Sequence, residues 1–345
     1  MIWTFVVVVA VVTVALFLWR PGSRSNPPSS AALGSVPETN AASVAAPPVP
    51  APAVPQVPPA TPGTNVALAQ PPVENIDTNS VSDMLNLGNW LLGQNRVDEA
   101  EKAYRRAVEI NADDEDAHFN LAIALTRQQR YEEAIKEYKT TLAIFPDYLE
   151  AQNNIANALI KLGRNQEAMK YLEEALQLNP DYVQGLNNLG RLHAINKEWD
   201  KAIELFERAQ KLDPQDFEVP FNLGNTRLQK GDAAGAVAAF EQAHELRPDH
   251  LLAVNMLAKA LAAAGQPDRA LTCLNDALAK QPDAPELLYN VGQLCLSLGR
   301  PAEAVAHFKR VVALAPNFAP AQDALKLAEA AAAKIASPPD LKSAQ

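Results

Sequence analysis

The sequence predicts an all-α protein: a solenoid of seven 34-residue helix-turn-helix repeats over residues 81–318, closed by a capping helix at 319–336 and preceded by an N-terminal transmembrane helix and a disordered linker. Three observations predict it. Alanine recurs seven times at one fixed interval, as Ala100, Ala134, Ala168, Ala202, Ala236, Ala270 and Ala304. Proline closes six of the units, at Pro146, Pro180, Pro214, Pro248, Pro282 and Pro316, with Ala112 in its place in the first. An apolar run opens the chain, and a proline-rich stretch poor in charge separates it from the first unit.

The apolar run, Ile2 to Trp19, is 18 residues long and broken only by Thr4 and Thr13. At ~1.5 Å rise per residue it is about as long as a hydrocarbon core is thick. Trp3 and Trp19 sit at its ends, where amphipathic rings favour the headgroup layer. A cleaved secretory signal would carry Lys or Arg ahead of the run and a small-residue site soon after it. Neither is present, Ser30-Ala31-Ala32 being the nearest candidate, so residues 1–20 are expected to be a single-pass anchor. Arg20 and Arg24 follow the run and favour a cytoplasmic repeat domain, but two arginines leave the side of the membrane open.

Residues 21–80 hold 14 prolines, no aromatic residue and few charges. Such a composition buries too little apolar area to offset its ordering entropy, and its prolines bias it toward extended polyproline II. A semi-rigid, disordered spacer is expected.

The repeats run as 81–114, 115–148, 149–182, 183–216, 217–250, 251–284 and 285–318, without insertion or deletion. The eighth position of each unit is Gly88, Ala122, Ala156, Gly190, Gly224, Ala258 or Gly292, and the twenty-fourth is always large and apolar. Helical spacing gives the reason. Small residues at positions 8 and 20 let two helix axes approach, and the side chain at position 24 fills the space beyond. Gly163, Gly231, Gly265 and Gly299 end first helices, where a left-handed residue is needed. Pro267 and Pro301 fall at the first turn of second helices, where a missing N–H costs nothing. Period, small positions and closing proline resemble the tetratricopeptide repeat over 238 of 345 residues, and that resemblance implies a right-handed superhelix. Thr141 and Val311 depart from the usual small residue at position 27, and Pro220 falls early in a first helix. The last helix places Ala321, Ala324, Leu325, Ala328, Ala332 and Ile335 on one face and Gln322, Asp323, Lys326 and Glu329 opposite, as a polar-backed cap and a short tail, 337–345, require.

The same resemblance implies that positions 2, 5, 6, 9 and 13 of the first helices line a concave groove. Position 6 is Asn86, Asn120, Asn154, Asn188, Asn222, Met256 and Asn290. A side-chain amide both donates and accepts, so this column suits the main chain of an extended peptide. It is similar to the asparagine ladder in the repeat arm of O-linked N-acetylglucosamine transferases, and equally to a near-consensus array. Position 9 adds Asn89, Asn157 and Asn225, with Arg191 and Lys259; position 5 adds Phe119, Phe221 and Tyr289 as apolar anchors. Asp116, Glu150, Glu218 and Glu286 at position 2 make one edge acidic, which suits a guest with basic residues. Repeat domains that clamp a chaperone's terminal carboxylate carry lysine at position 5, and no unit here does. Alanine at Asn154, Asn188 and Asn222 is expected to weaken capture without unfolding the domain.

Chemistry is sparse. His118, His193, His244, His250 and His307 fall at unrelated positions, none with metal-ligand spacing, and His193 reads as a core residue. Cys273 and Cys295 are too few for a disulfide framework and read as buried thiols. A net charge of −10 argues against a nucleic-acid surface. Anchor, spacer, repeats and cap account for the chain, so a non-enzyme without cofactor is expected. The expectation is a membrane-anchored adaptor that binds extended segments of other proteins. Assembly or self-association within a membrane or envelope complex, and service as an accessory subunit of an enzyme encoded elsewhere, are the alternatives.

Overall fold

The computed structural model describes residues 76–336, which fall into two compact units, one ending at Ala277 and one beginning at Leu278. The expected anchor, the spacer up to residue 75 and the tail 337–345 lie outside the described residues. Among the described residues no helix is long and apolar enough to cross a membrane, and all regular structure is helical.

In the first unit the helices are α1 (Val81–Gly93), α2 (Val97–Ile110), α3 (Glu115–Arg127), α4 (Tyr131–Ile144), α5 (Leu149–Lys161), α6 (Asn165–Leu178), α7 (Val183–Ile195), α8 (Trp199–Leu212), α9 (Glu218–Lys230), α10 (Ala233–Leu246), α11 (Leu251–Ala263) and α12, which begins at Pro267. Each helix from α1 to α10 packs on the next, and the first helices α1 and α3, α5 and α7, α7 and α9, and α9 and α11 also touch. One buried apolar core runs from Leu91 to Leu192. The steric demand read from positions 8 and 24 is met directly. A Cβ added to Gly88 would stand 2.3 Å from the Tyr104 ring, one on Gly190 2.8 Å from Phe206, and one on Gly224 2.8 Å from Phe240. The alanines at position 20 are fully buried. Thr141 is tolerated because its hydroxyl donates to backbone oxygens of Glu137 at 3.3 Å and Glu115 at 3.4 Å.

The helix starts are capped where the sequence supplies a short polar side chain. Asp114 Oδ1 accepts from Ala117 N–H at 2.8 Å, and Asp232 Oδ1 from Gly235 N–H at 2.9 Å. Residues 76–80, assigned to the spacer above, belong to the packed array: Ile76 lies on the core, and Arg106 donates to Thr78 O and Asn79 Oδ1.

First helices end on a left-handed residue throughout. Glycine does this at Gly163, Gly231, Gly265 and Gly299, but Asn95 (φ 60), Gln129 (φ 62) and Lys197 (φ 62) do it with a side chain. For an L-residue that conformation costs roughly 1–2 kcal/mol, part of which glycine's larger unfolded-state entropy returns. Gln129→Gly and Lys197→Gly are therefore each expected to raise the unfolding free energy by about 0.5–1 kcal/mol. A chemical-denaturation midpoint that falls in either variant would refute this account of the turn.

The second unit contains α13 (Pro285–Ser297), α14 (Pro301–Leu314) and α15 (Ala319–Ala336), packed in sequence. Gly292 lies against Phe308 as in the first unit's hairpins. In α15, Ala321, Ala324 and Ala328 are buried, whereas Ile335, placed on the inner face above, is 69% exposed. The helix runs past the surface it covers, and Leu327, 55% exposed, adds a second apolar side chain to its outer side.

Candidate functional site

The amides of the first helices fall into three groups, decided by what stands one hairpin earlier. Asn188 on α7 donates through Nδ2 to Asn153 Oδ1 on α5 at 2.7 Å. Asn222 on α9 donates in the same way to Asn187 Oδ1 on α7 at 3.0 Å. Each position-6 amide thus reaches back to position 5 of the preceding hairpin. Both asparagines are buried, so Asn188 and Asn222 stitch helices together and are no clean probes of binding.

Asn154 on α5 occupies the same place, but position 5 behind it is Phe119, which offers no acceptor. Its Nδ2 is buried and without a partner, and so is Asn157 Oδ1 one turn along the same helix. Tyr138 is fully buried, with its hydroxyl beside Thr126 and Asn154; burial holds it far above the usual phenol range, and those two neighbours work the other way. In the first hairpin the corresponding hydroxyl is satisfied, since Tyr104 donates to Asn89 Oδ1 at 2.8 Å.

The third group lies at the N-terminal end. Asn86, Asn89 and Asn120 line a cavity of ≈ 510 Å³ with Phe119, Asp114, Asp116, Tyr148, Leu85, Val81 and Ser82. Positions 2, 5, 6 and 9 of α1 and positions 2, 5 and 6 of α3 meet there. Asn120 Nδ2 donates to its own helix at Asp116 O, 2.8 Å.

The remaining expected site residues are dispersed. Phe221 offers no anchor: it is 2% exposed, stacked on Phe217 with centroids 5.6 Å apart and edge-on to Phe240 and His250. Asn225 is half-buried on α9. In the second unit Tyr289 is buried against Phe308 and Phe318, accepting from Gln293 Nε2 at 3.0 Å, and Asn290 is half-buried beside it. Arg191 is a cation inside this face. Its Nη1 donates to Asn188 Oδ1 at 3.2 Å; burial holds its guanidinium below its ordinary value, with Glu218 opposing.

Away from the amides, His118 Nδ1 lies 2.7 Å from Glu137 Oε2, and His193 is buried with Nδ1 2.7 Å from Glu198 Oε2. Cys295 is buried and Cys273 half-buried, and burial pushes the Cys273 thiol up to about 11. Among the described residues no group of three or more His, Cys, Asp or Glu side chains is placed to hold a metal ion. Sequence reasoning missed Asp114 and Tyr148, which stand just before first helices; their position beside the groove-facing turn was the available signal.

Comparison with known proteins agrees with this architecture. The family model described as tetratricopeptide repeat matches residues 85–148, 153–217, 221–265 and 255–317, and a second model of the same description matches 125–173. No curated protein sequence matches the chain. Among solved structures it is similar to the C-terminal part of a repeat-containing protein from Cytophaga hutchinsonii, at 18% identity and TM-score 0.57, covering 70% of this chain and 99% of that one. It is similar to PilW, described as a widely conserved type IV pilus biogenesis factor, at 21% identity and TM-score 0.55, covering 60% and 96%. PilF of Pseudomonas aeruginosa matches at 22% identity and TM-score 0.53, covering 60% and 94%. At such identities the likeness shows the fold.

Proposed function

Because the chain belongs to the tetratricopeptide repeat family, whose arrays serve as protein-interaction scaffolds, we propose that it is a non-catalytic, membrane-tethered adaptor that holds an extended segment of a partner protein along its first helices. Residues 1–20 act as the tether, 21–75 as the spacer, and the first helices of the first unit as the receptor, where Asn154 and Asn157 read main chain while Asn188 and Asn222 hold the helices in register.

One observation carries the reading. Asn154 Nδ2 and Asn157 Oδ1 are a buried donor and a buried acceptor on one face of α5, the first with only the Tyr138 hydroxyl beside it and the second without a partner. A buried polar atom left unpaired costs about 1–3 kcal/mol. An extended peptide presents a C=O and an N–H at every residue, so one that parts the side chains covering these two atoms can pair with both.

The test uses the full-length chain on an arrayed library of random-sequence peptides. Asn154→Ala combined with Asn157→Ala is expected to weaken binding to the captured peptides about tenfold, the equivalent of roughly 1.4 kcal/mol. The unfolding midpoint should hold or rise, because two unsatisfied groups leave the interior. Undiminished binding by the double variant would remove this face from the function.

A further inference from the structure

The cavity at the N-terminal end has a chemistry of its own. Asp114 and Asp116 enter it from the start of α3, with Phe119 one turn on and Tyr148 from the turn before α5, while Val81 and Leu85 add apolar surface. Its lining includes no basic side chain. Each carboxylate has one oxygen engaged within the protein: Asp114 Oδ1 caps α3, and Asp116 Oδ1 accepts from the Tyr148 hydroxyl at 3.2 Å. The Tyr148 ring is stacked on Phe119, centroids 4.7 Å apart and planes 25° apart. Burial first, then the neighbouring Asp116, Glu150 and Glu115, hold the Tyr148 hydroxyl above its ordinary range.

We propose that this cavity binds the guanidinium of an arginine side chain presented by the partner segment. A planar, delocalised cation lies against an aromatic face while its N–H fork reaches carboxylates. The ring pair and the two aspartates supply both at once, over an apolar wall that accepts the arginine stem. A lysine ammonium satisfies the charge but not the stacking, so arginine is preferred. The inference deepens the adaptor reading and rests on it for the rest of the guest.

The test titrates the full-length chain, in detergent micelles, with N-acetyl-arginine amide, following ring resonances of labelled Phe119 and Tyr148. N-acetyl-lysine amide and N-acetyl-norleucine amide serve as comparisons. Arginine amide is expected to shift both rings, lysine amide to bind more weakly, and norleucine amide to leave them unmoved. Asp116→Asn keeps an acceptor for the Tyr148 hydroxyl and removes one charge; it should weaken arginine binding about tenfold, as loss of a charge-assisted bond does. Equal responses to arginine and norleucine, or an undiminished response in Asp116→Asn, overturn the assignment. A response that emerges only after Arg20→Ala and Arg24→Ala would give the cavity to the chain's own N-terminal segment and overturn it as well. Asn154 and Asn157 do not line this cavity, so the array experiment and this one can fail separately.

Discussion

Phe206→Ala is expected to lower the unfolding free energy by about 3–5 kcal/mol, the range for truncating a buried aromatic side chain. Phe206 is fully buried on α8 and stands over Gly190 of α7, between the fully buried alanines 202 and 209. Glycine and alanine cannot reach into the void, which leaves Leu186, Val219 and Leu223 of the same cluster to close it in part. In a repeat array each hairpin meets only its neighbours, so the loss should be concentrated locally. Amide hydrogen exchange would read it as lost protection in α7 and α8, spreading to α6 and α9 and fading toward α1. A loss below about 1 kcal/mol, or one spread evenly over all helices, would contradict the packing described here.

Gly190→Val is expected to cost about 1–3 kcal/mol or more, the range for overfilling a packed core. Even the first added carbon would lie 2.8 Å from the ring of Phe206, which is itself fully buried. The smaller change Gly190→Ala sets that clash against a gain of roughly 0.8–1.0 kcal/mol in helix propensity. The array holds both outcomes: Ala156 faces Leu172 in α5 and α6, whereas Ala122 in α3 accommodates the ring of Tyr138 in α4. All four are fully buried, so an added methyl is absorbed by a smaller partner or by a shift of the helices. Gly190→Ala should therefore be better tolerated with Phe206→Leu than alone, with a coupling of about 0.5–3 kcal/mol in a double-mutant cycle followed by denaturant unfolding. Strict additivity would mean that the two positions do not share one space.

The pairing of a small position with a large one was legible in the sequence because it is a steric demand, and van der Waals radii do not depend on context. Gly88 under Tyr104 and Gly224 under Phe240 could be anticipated from spacing alone. The amides were less legible. Asn154 and Asn188 look alike in the sequence, yet one is orphaned and the other bonded. The difference lies at Phe119 and Asn153, a hairpin away, and is visible only once the helices are in register. Phe221 was misjudged for a similar reason: Phe217 and His250, on either side of its hairpin, close over it. The left-handed residues at Gln129 and Lys197 gave no sign because a polar side chain there is strained but permitted.

The backward-reaching amides bear on how such a chain can grow. The hairpin 183–216 carries one half of each bond, Asn188 giving to the hairpin behind and Asn187 receiving from the one ahead, each across 35 residues. A tandem duplicate of that hairpin would find an acceptor waiting on one side and a donor on the other, so lengthening there strands no amide. Duplicating the hairpin that carries Phe119 provides no such acceptor, which makes the middle of the array the natural place for new copies to be tolerated.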